Sequence, residues 1–356
     1  MGLDIGGANT KAAFILFENN KISKSYSYIE YFPFWEKNLQ DIIEMLNRIV
    51  ENLIEANNFN LPNVDYFTIT ITAELSDAFQ TKREGIFIII EALENVFEKE
   101  KLRFITTRGI YVDMKMARDQ YLSIAAANWA STALFLGQFV PRCILIDAGS
   151  TTIDIIPINE AFPVPKGTDD ISRLINHELI YTGGLRATIP SITHHVYYKD
   201  KKIRVSFEKF ALISDVHRIL GNISEDEYLN DTADNRSKSL NDCYARLSRV
   251  ICMDIDLISK DDLNKIANYI YEKQLNIITR EIRMFMNNLI TRYEDFRRDP
   301  IFVLTGSSSS FLIKRPLESL GYKNVCNYKE LTKIPNNINS SAFAVVGAFY
   351  YHISQH

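Results

Sequence analysis

The 356-residue sequence lacks the features that mark several large classes of protein. Its four cysteines, Cys143, Cys243, Cys252 and Cys326, include no C-x-x-C pair, which argues against a zinc site or a disulfide framework. No apolar run approaches the roughly 20 residues that span a bilayer, and no signal peptide precedes the first glycine-rich motif. The net charge of −4 is not the basic excess of a nucleic-acid-binding protein. We therefore expect a cytoplasmic protein with reduced thiols that binds neither membranes nor nucleic acids.

The composition is that of a globular protein, with 46% hydrophobic and 24% charged residues, and the length suits two domains. Met1 stands directly before an apolar strand, which leaves open whether the natural start lies a few residues upstream. Apolar periodicity and β-branched runs predict most elements. The predicted helices cover 39–56, 85–97, 123–133, 260–271, 274–292 and 341–351, and the predicted strands include 25–31, 66–72, 108–112 and the start of 301–310.

One motif occurs twice in the chain. The sequence D-I-G-G-A-N-T-K occupies 4–11 and D-A-G-S-T-T-I-D occupies 147–154, each between two apolar strands, and the two aspartates are 143 residues apart. A single Asp-Gly turn of this kind is weak evidence of a ligand site, since many hairpins contain one. Its repetition predicts a duplicated structure with one such turn in each half.

These turns have the chemistry of phosphate-binding loops. Glycine lets the backbone approach a ligand, and successive N–H groups form an anion site. An aspartate at a strand end suits Mg²⁺ held through water, which makes Asp4 and Asp147 the candidate metal residues. A Thr-Gly-Gly segment and a Thr-Gly-Ser turn after an apolar strand complete the set, although each alone would be an ordinary turn. The predicted phosphate-binding residues are Gly6, Gly7, Asn9, Thr10, Lys11, Gly149, Ser150, Thr151, Thr152, Thr182, Gly183, Gly184, Thr305, Gly306 and Ser307.

In this order, the four segments resemble the actin/hexokinase/Hsp70 superfamily. The resemblance implies an α/β fold, with duplicated ribonuclease-H-like (actin-like ATPase) domains and a cleft between them. Residues 1–140 would form the first domain and 141–340 the second, which includes a helical insertion. Residues 341–356 would form a C-terminal helix that packs back toward the first domain.

A narrower resemblance covers nearly the whole chain. The segments 2–11, 72–79, 125–129, 147–158, 182–183, 232–236 and 245–249 are similar to a hydantoinase/oxoprolinase-like branch linked to tetrahydromethanopterin and one-carbon metabolism. Its archaeal members are methanofuran-biosynthesis synthases. The sequence departs from the branch at two places. Asn235 stands where glycine is usual, and residues 183–186 match the usual Thr-Gly-x-x-Arg-Thr run only loosely.

The resemblance implies a specific transferase reaction. γ-Glutamyltyramine would be joined to the diphosphate of 5-(aminomethyl)-3-furanmethanol, forming a phenoxymethyl-furan ether and releasing pyrophosphate. Asp4 and Asp147 would organise Mg²⁺ and lie at strand ends outside the core. Glu74 would accept the proton of the phenol, whose pKa is normally near 10; otherwise it caps a helix or pairs with a lysine. Lys11 would contact either phosphate or solvent.

Two other functions fit the same fold. An ATP-dependent small-molecule kinase or a hydantoinase/oxoprolinase-like amide hydrolase would use the same residues with ATP, although the chain is short for the large hydantoinases. A nucleotide-dependent actin- or Hsp70-like switch is the other alternative. The vicinal pair His194 and His195 points to opposite faces of a strand, which disfavours a metal site there. The oligomeric state is left open.

Overall fold

The computed structural model describes residues 1–7, 9–18, 21–34, 38–57, 63–74, 76, 78–335 and 339–354. Contacts divide the chain into two units. The first consists of Met1–Leu145, Ile156–Arg173 and Cys326–His356, and the second of Ile146–Ile155 and Leu174–Val325. The contiguous domain limits expected from the sequence remain a prediction.

The described part of the first 140 residues begins with three strands and ends with three short helices. Its elements are β1 (Gly2–Gly6), β2 (Asn9–Glu18), β3 (Lys21–Tyr31), α1 (Leu39–Asn57), β4 (Phe67–Thr72), α2 (Lys82–Val96), β5 (Leu102–Ile105), β6 (Tyr111–Val112), α3 (Met114–Asp119), α4 (Tyr121–Ile124) and α5 (Asn128–Gly137), with a 3₁₀ turn at Lys99–Lys101. The strands form one sheet in the order β3-β2-β1-β4-β5-β6.

The elements of the remaining chain include a second sheet and a helical region. They are β7 (Cys143–Ala148), β8 (Ile153–Asn159), β9 (Phe162–Pro163), α6 (Asp170–Ile175), β10 (Leu179–Ile180), α7 (Ile189–Ile192), β11 (His195–Tyr198), β12 (Lys201–Arg204), α8 (Ile213–Ile219), α9 (Leu240–Arg249), α10 (Lys260–Arg292), β13 (Phe302–Thr305), α11 (Ser309–Leu312), α12 (Lys314–Ser319), β14 (Val325–Asn327), α13 (Tyr328–Thr332) and α14 (Ser340–Ser354), with 3₁₀ turns at Ile255–Leu257 and Glu294–Arg297.

The second sheet repeats the order of the first. Its strands run β10-β8-β7-β13-β14, with β9 beside β8. Position for position, these five strands correspond to β3, β2, β1, β4 and β5 of the first sheet. The α/β class and the duplication predicted from the repeated motif are therefore confirmed.

The first sheet is covered on both faces. One face carries Leu3 and Ile5 into an apolar cluster with α1 and α2. The other face packs against α14, which also contacts α5. Helix α14 lies so close to Gly2 that a Cβ atom on this residue would lie 2.2 Å from the carbonyl oxygen of Ala342. A strand buried on both faces is composed largely of small and apolar residues, and β1 follows this rule except at Asp4.

Four predicted helices differ from the structure. The helix predicted to open at Gly85 begins at Lys82, because Thr81 caps its first turn. The predicted helix over 123–133 is broken at Ala125–Ala127, between α4 and α5. The two helices predicted over 260–292 are one continuous helix, α10. No helix of the described ranges is both long and apolar enough to cross a membrane.

Candidate functional site

Asp4 lies in the middle of β1, in the first unit. It stands opposite Thr70 of β4 and Lys11 of β2, and register partners share one face of a sheet. Because α14 covers that face, only 5% of Asp4 is exposed. The expectation that Asp4 lies outside the core is therefore wrong. The motif suggested a strand end, but the C-terminal helix buries it.

The two carboxylate oxygens of Asp4 have different surroundings. Oδ2 accepts a hydrogen bond from Ser341 at 2.5 Å and lies 3.8 Å from Nζ of Lys11. Oδ1 is buried and, among the described residues, has no hydrogen-bond partner. The hydroxyl of Thr70, opposite Asp4, is also buried and lacks a partner within the same ranges. A buried anionic oxygen without a hydrogen-bond partner lowers the stability of the folded protein unless a ligand binds to it. The position therefore suits a cation.

The turn after β1 needs glycine at its first position. A Cβ atom on Gly6 would lie 2.7 Å from the carbonyl oxygen of Asn9. The carbonyl of Gly7 accepts a hydrogen bond from Phe34 at 3.1 Å, which ties the turn to the chain beyond β3. Thr10 stands opposite Ile5 and is fully buried, on the other face from Asp4. The predicted turn residue Ala8 lies outside the described residues.

Glu74 follows β4 by two residues and is also in the first unit. It is 1% exposed, and its Oε2 has no hydrogen-bond partner among the described residues. Burial raises the pKa of Glu74 from 4.5 to about 7, although its own backbone N–H group, Lys82 and the N–H group of Ala126 favour the charged form. A carboxyl group with a pKa near neutrality can accept and release a proton at physiological pH.

Neither alternative predicted for Glu74 holds among the described residues. The cap of α2 is Thr81, whose side chain accepts from the N–H group of Glu84. Lys82 pairs instead with Asp170, at 3.3 Å. Glu74 is thus a buried acid with neither a capping bond nor a close ion pair.

The Ala125–Ala127 segment crosses the end of β4 beside Glu74. Ala125 makes a parallel bridge to Ile71, and the N–H group of Ala126 donates to the carbonyl of Ile71 at 3.0 Å. Ala126 has φ of 49°, a left-handed conformation that is strained for alanine. Strain of this kind is concentrated at functional sites.

In the second unit, the turn between β7 and β8 is held by the segment that follows β10. The N–H groups of Gly183 and Gly184 donate to the carbonyls of Thr151 and Gly149, at 2.8 and 3.0 Å, and those of Leu185 and Arg186 donate to Ser150. A Cβ atom on Gly183 would lie 2.6 Å from the backbone of Ser150 and Thr151. The turn's carbonyls are therefore engaged from one side. Among the described backbone hydrogen bonds of loops, none is donated by Ser150, Thr151 or Thr152, so their N–H groups suit an anion.

The turn after β13 contacts the same region. Gly306 has φ of 85°, and a Cβ atom there would lie 2.4 Å from Oδ1 of Asp147. Ser308 donates its N–H to the carbonyl of Ala148 at 2.9 Å, and a Cβ atom on Gly184 would lie 2.0 Å from Oγ of Ser308. The structure thus brings together three segments predicted to bind phosphate, 147–152, 182–184 and 305–307.

The segments 232–236 and 245–249, which carried part of the family resemblance, form a buried ion-pair network in the second unit. Arg246, fully buried, lies 2.8 Å from Asp215 and 3.0 Å from Asp234, which also pairs with Arg249 at 3.0 Å. Asn235, where the related branch usually has glycine, has φ of 58°. The positive φ explains that preference, because glycine adopts it without strain.

Three buried polar residues near the site were not predicted from the sequence: Ser341, Gln274 and His217. Ser341 lies beside Asp4. Gln274 bonds to the Thr182–Gly183 segment and to His217. Each lies in a helix with an apolar face, where a lone polar residue predicts no site. Only its burial and its partners identify it.

Comparison with known proteins identifies the family of the chain. The family model described as Hydantoinase/oxoprolinase matches residues 65–343. The chain is 34% identical over 348 residues to the (4-{4-[2-(γ-L-glutamylamino)ethyl]phenoxymethyl}furan-2-yl)methanamine synthase of Methanocaldococcus jannaschii, covering 97% of this chain and 96% of that protein. A synthase of the same name from Methanococcus vannielii is 33% identical over 189 residues, 51% of this chain and 85% of the relative. Among solved structures, the activator of 2-hydroxyisocaproyl-CoA dehydratase from Clostridium difficile aligns with a TM-score of 0.45 and 12% identity, over 99% of this chain and 96% of that one. The chain belongs to the hydantoinase/oxoprolinase family.

Proposed function

We propose that this protein is an ether-forming synthase of methanofuran-type cofactor biosynthesis. The phenol oxygen of γ-glutamyltyramine attacks the furan methylene carbon of 5-(aminomethyl)-3-furanmethanol diphosphate. The new C–O bond forms as the bond from carbon to the diphosphate oxygen breaks, and pyrophosphate leaves with the electron pair. Identity of 34% to the Methanocaldococcus jannaschii synthase over 97% of the chain is the observation that carries this proposal.

Glu74 is the proposed acceptor of the phenol proton. With a pKa of about 7, it is partly ionised at neutral pH, and its buried Oε2 lacks a partner among the described residues. A phenol normally holds its proton to a pKa near 10. Burial raises the proton affinity of the Glu74 carboxylate and brings it closer to that of the phenolate, which favours proton transfer as the bond to carbon forms.

The diphosphate is proposed to bind to backbone N–H groups. In the second unit, the N–H groups of 150–152 suit its oxygens, and the tight packing of Gly183 and Gly306 fixes the backbone there. Negative charge on the leaving group increases as the bond to carbon breaks. Fixed N–H dipoles therefore stabilise the transition state more than the substrate.

Mg²⁺ fits the oxygen donors of Asp4. Within the described residues, no group of three His, Cys, Asp or Glu side chains is placed to hold a metal. Mg²⁺ is commonly bound by one or two carboxylates together with phosphate oxygens and water, and Oδ1 of Asp4 is a buried carboxylate oxygen of this kind. In the second unit, Asp147 is the corresponding carboxylate proposed to hold Mg²⁺, through water. Bound Mg²⁺ would neutralise charge on the leaving diphosphate.

A thermal-shift comparison tests the proposed ligand class. The protein is melted with Mg²⁺ and either ATP, pyrophosphate or a furan-methyl diphosphate analogue. A ligand at 100 times its Kd stabilises the folded state by about 2.7 kcal/mol. The proposal predicts shifts with pyrophosphate and the analogue but not with ATP. A shift with ATP alone would support the kinase or amide-hydrolase alternative.

A further inference from the structure

Gln274 and His217 are buried polar residues of the second unit that the proposed reaction does not use. Gln274 lies on α10 and His217 on α8, and both are fully buried. Buried polar side chains are almost always hydrogen-bonded, so their partners indicate what they hold in place. Both side chains belong to a series of hydrogen bonds that ends at the segment packed against the turn at 149–152.

The amide of Gln274 joins two segments of the chain. Its Nε2 donates to the carbonyl of Gly183 at 2.9 Å and to Oγ1 of Thr182 at 3.1 Å. Its Oε1 lies 3.0 Å from Nε2 of His217. Both ends of the amide are thus used, and the side chain has one orientation that satisfies all three partners.

His217 fixes that orientation. The side-chain amide of Asn222 lies 3.0 Å from Nδ1 of His217 and donates to it, so Nε2 carries the hydrogen and donates to Gln274. Burial lowers the pKa of His217 to about 3, which keeps the imidazole neutral. The rings of Tyr271 and Phe311 lie against it, with centroids 5.4 and 4.6 Å away. The hydrogen bonds therefore run without a break from Asn222 through His217 and Gln274 to Gly183.

Gly183, the last residue of this hydrogen-bonded series, packs directly against the turn at 149–152. Gly183 donates its N–H to Thr151 at 2.8 Å, and it has no room for a Cβ atom against Ser150. A shift of Gly183 therefore moves the backbone whose N–H groups are proposed to bind the diphosphate.

We propose that Gln274 is a positioning residue that, oriented by His217, holds the Thr182–Gly183 segment against the turn at 149–152. It touches no substrate and acts only through Gly183 and Thr182. This inference rests on the proposed function for the identity of the anion, but not for the existence of the hydrogen-bonded chain.

Gln274→Met tests the inference, because methionine keeps the size of the side chain and removes its donors. Amide hydrogen exchange of Gly183 and Gly184 is measured without ligand, and Mg²⁺-pyrophosphate affinity is measured by calorimetry. Both are expected to change about tenfold, with faster exchange and a larger Kd. Thr279→Val is the matched control. It removes a hydrogen bond to Leu275 on the same helix and should change neither quantity.

Two further measurements keep the test decisive. ¹⁵N NMR of the unmodified protein should show His217 as the neutral Nε2–H tautomer from pH 5 to 8, and Asn222→Ala should disturb that signal and weaken pyrophosphate binding about threefold. The opposite tautomer, or unchanged exchange at Gly183 in Gln274→Met or Asn222→Ala, overturns the inference. If the unmodified protein does not bind pyrophosphate, the proposed function fails, whereas the exchange result still decides the role of Gln274.

Discussion

Ser341, in the first turn of α14, donates a hydrogen bond of 2.5 Å to Oδ2 of Asp4, which lies 337 residues earlier in the chain on β1. The bond leaves Oδ1 of the same carboxylate buried and, within the described ranges, without a partner. The C-terminal helix therefore both buries the first motif's aspartate and fixes which of its oxygens can meet a ligand.

Ser341→Ala should destabilise the protein and weaken its response to Mg²⁺. Removal of the hydroxyl leaves a buried carboxylate oxygen with one donor fewer, which typically costs about 1–3 kcal/mol. Urea unfolding measures the loss, and the Mg²⁺ dependence of turnover measures the effect on the site. Ser354→Ala, at the exposed end of the same helix, is the control. Equal stability of the two variants would contradict the role assigned to Ser341.

Glu74→Gln should abolish turnover while making the protein more stable at high pH. The folded-state pKa of about 7 exceeds the ordinary value of 4.5, so the folded state holds a proton that the unfolded state has lost. Stability therefore falls as pH rises from about 4.5 through 7, and the ionised carboxylate destabilises the protein at pH 8 by about 3 kcal/mol. Glutamine does not ionise and avoids this loss.

The measurement is urea unfolding of Glu74→Gln and the unmodified protein at pH 5 and pH 8. The stability difference should be large at pH 8 and small at pH 5, and the turnover of the unmodified protein should rise with pH through about 7. Glu91→Gln, an exposed position on α2, should match the unmodified protein throughout. Full activity of Glu74→Gln would exclude Glu74 as the base.

Gly183→Ala should lose pyrophosphate binding as well as stability. Its methyl group would lie 2.6 Å from the backbone of Ser150 and Thr151, so the turn must move. Gly221→Ala is the comparison: φ is 72°, but nothing lies within 4 Å, so only strain of about 1–2 kcal/mol is expected. Calorimetry of Mg²⁺-pyrophosphate binding separates the two. Retention of affinity in Gly183→Ala would show that the turn's backbone does not bind the anion.

Asn235 should tolerate glycine but not alanine. At φ of 58°, asparagine is among the few residues that adopt the left-handed conformation readily. Asn235→Ala is expected to lower the free energy of unfolding by about 1 kcal/mol, and Asn235→Gly to change it by less than about 0.5 kcal/mol. Paired urea melts measure both. An alanine variant as stable as the glycine variant would mean that the conformation is not retained.

The repeated motif was sufficient to predict the α/β fold and its duplication, because in each hairpin two strands rich in apolar residues flank a turn that contains glycine. The single helix α10 was not predicted, since Gln274 interrupts an apolar stripe that otherwise runs through Ile270 and Ile278. The polar residue that hid the continuity of the helix is the one that bonds to Gly183.

The burial of Asp4 could not be read from its own motif. It depends on α14, whose Ser341 is remote in sequence and ordinary in local pattern. In the same way, the raised pKa of Glu74 depends on burial against α2, where Gly85 lets the helix approach; a Cβ atom there would lie 3.0 Å from the Cα of Glu74. Tertiary contacts of this kind decide which of the predicted acids are buried.

The most direct test of the proposed function is a turnover assay with γ-glutamyltyramine, the furan-methanol diphosphate and Mg²⁺, with the products identified by mass spectrometry. The proposed reaction gives the phenoxymethyl-furan ether and one pyrophosphate per ether, with no requirement for ATP and no product from Glu74→Gln. ATP consumption with a phosphorylated or hydrolysed product, and no ether, would contradict it.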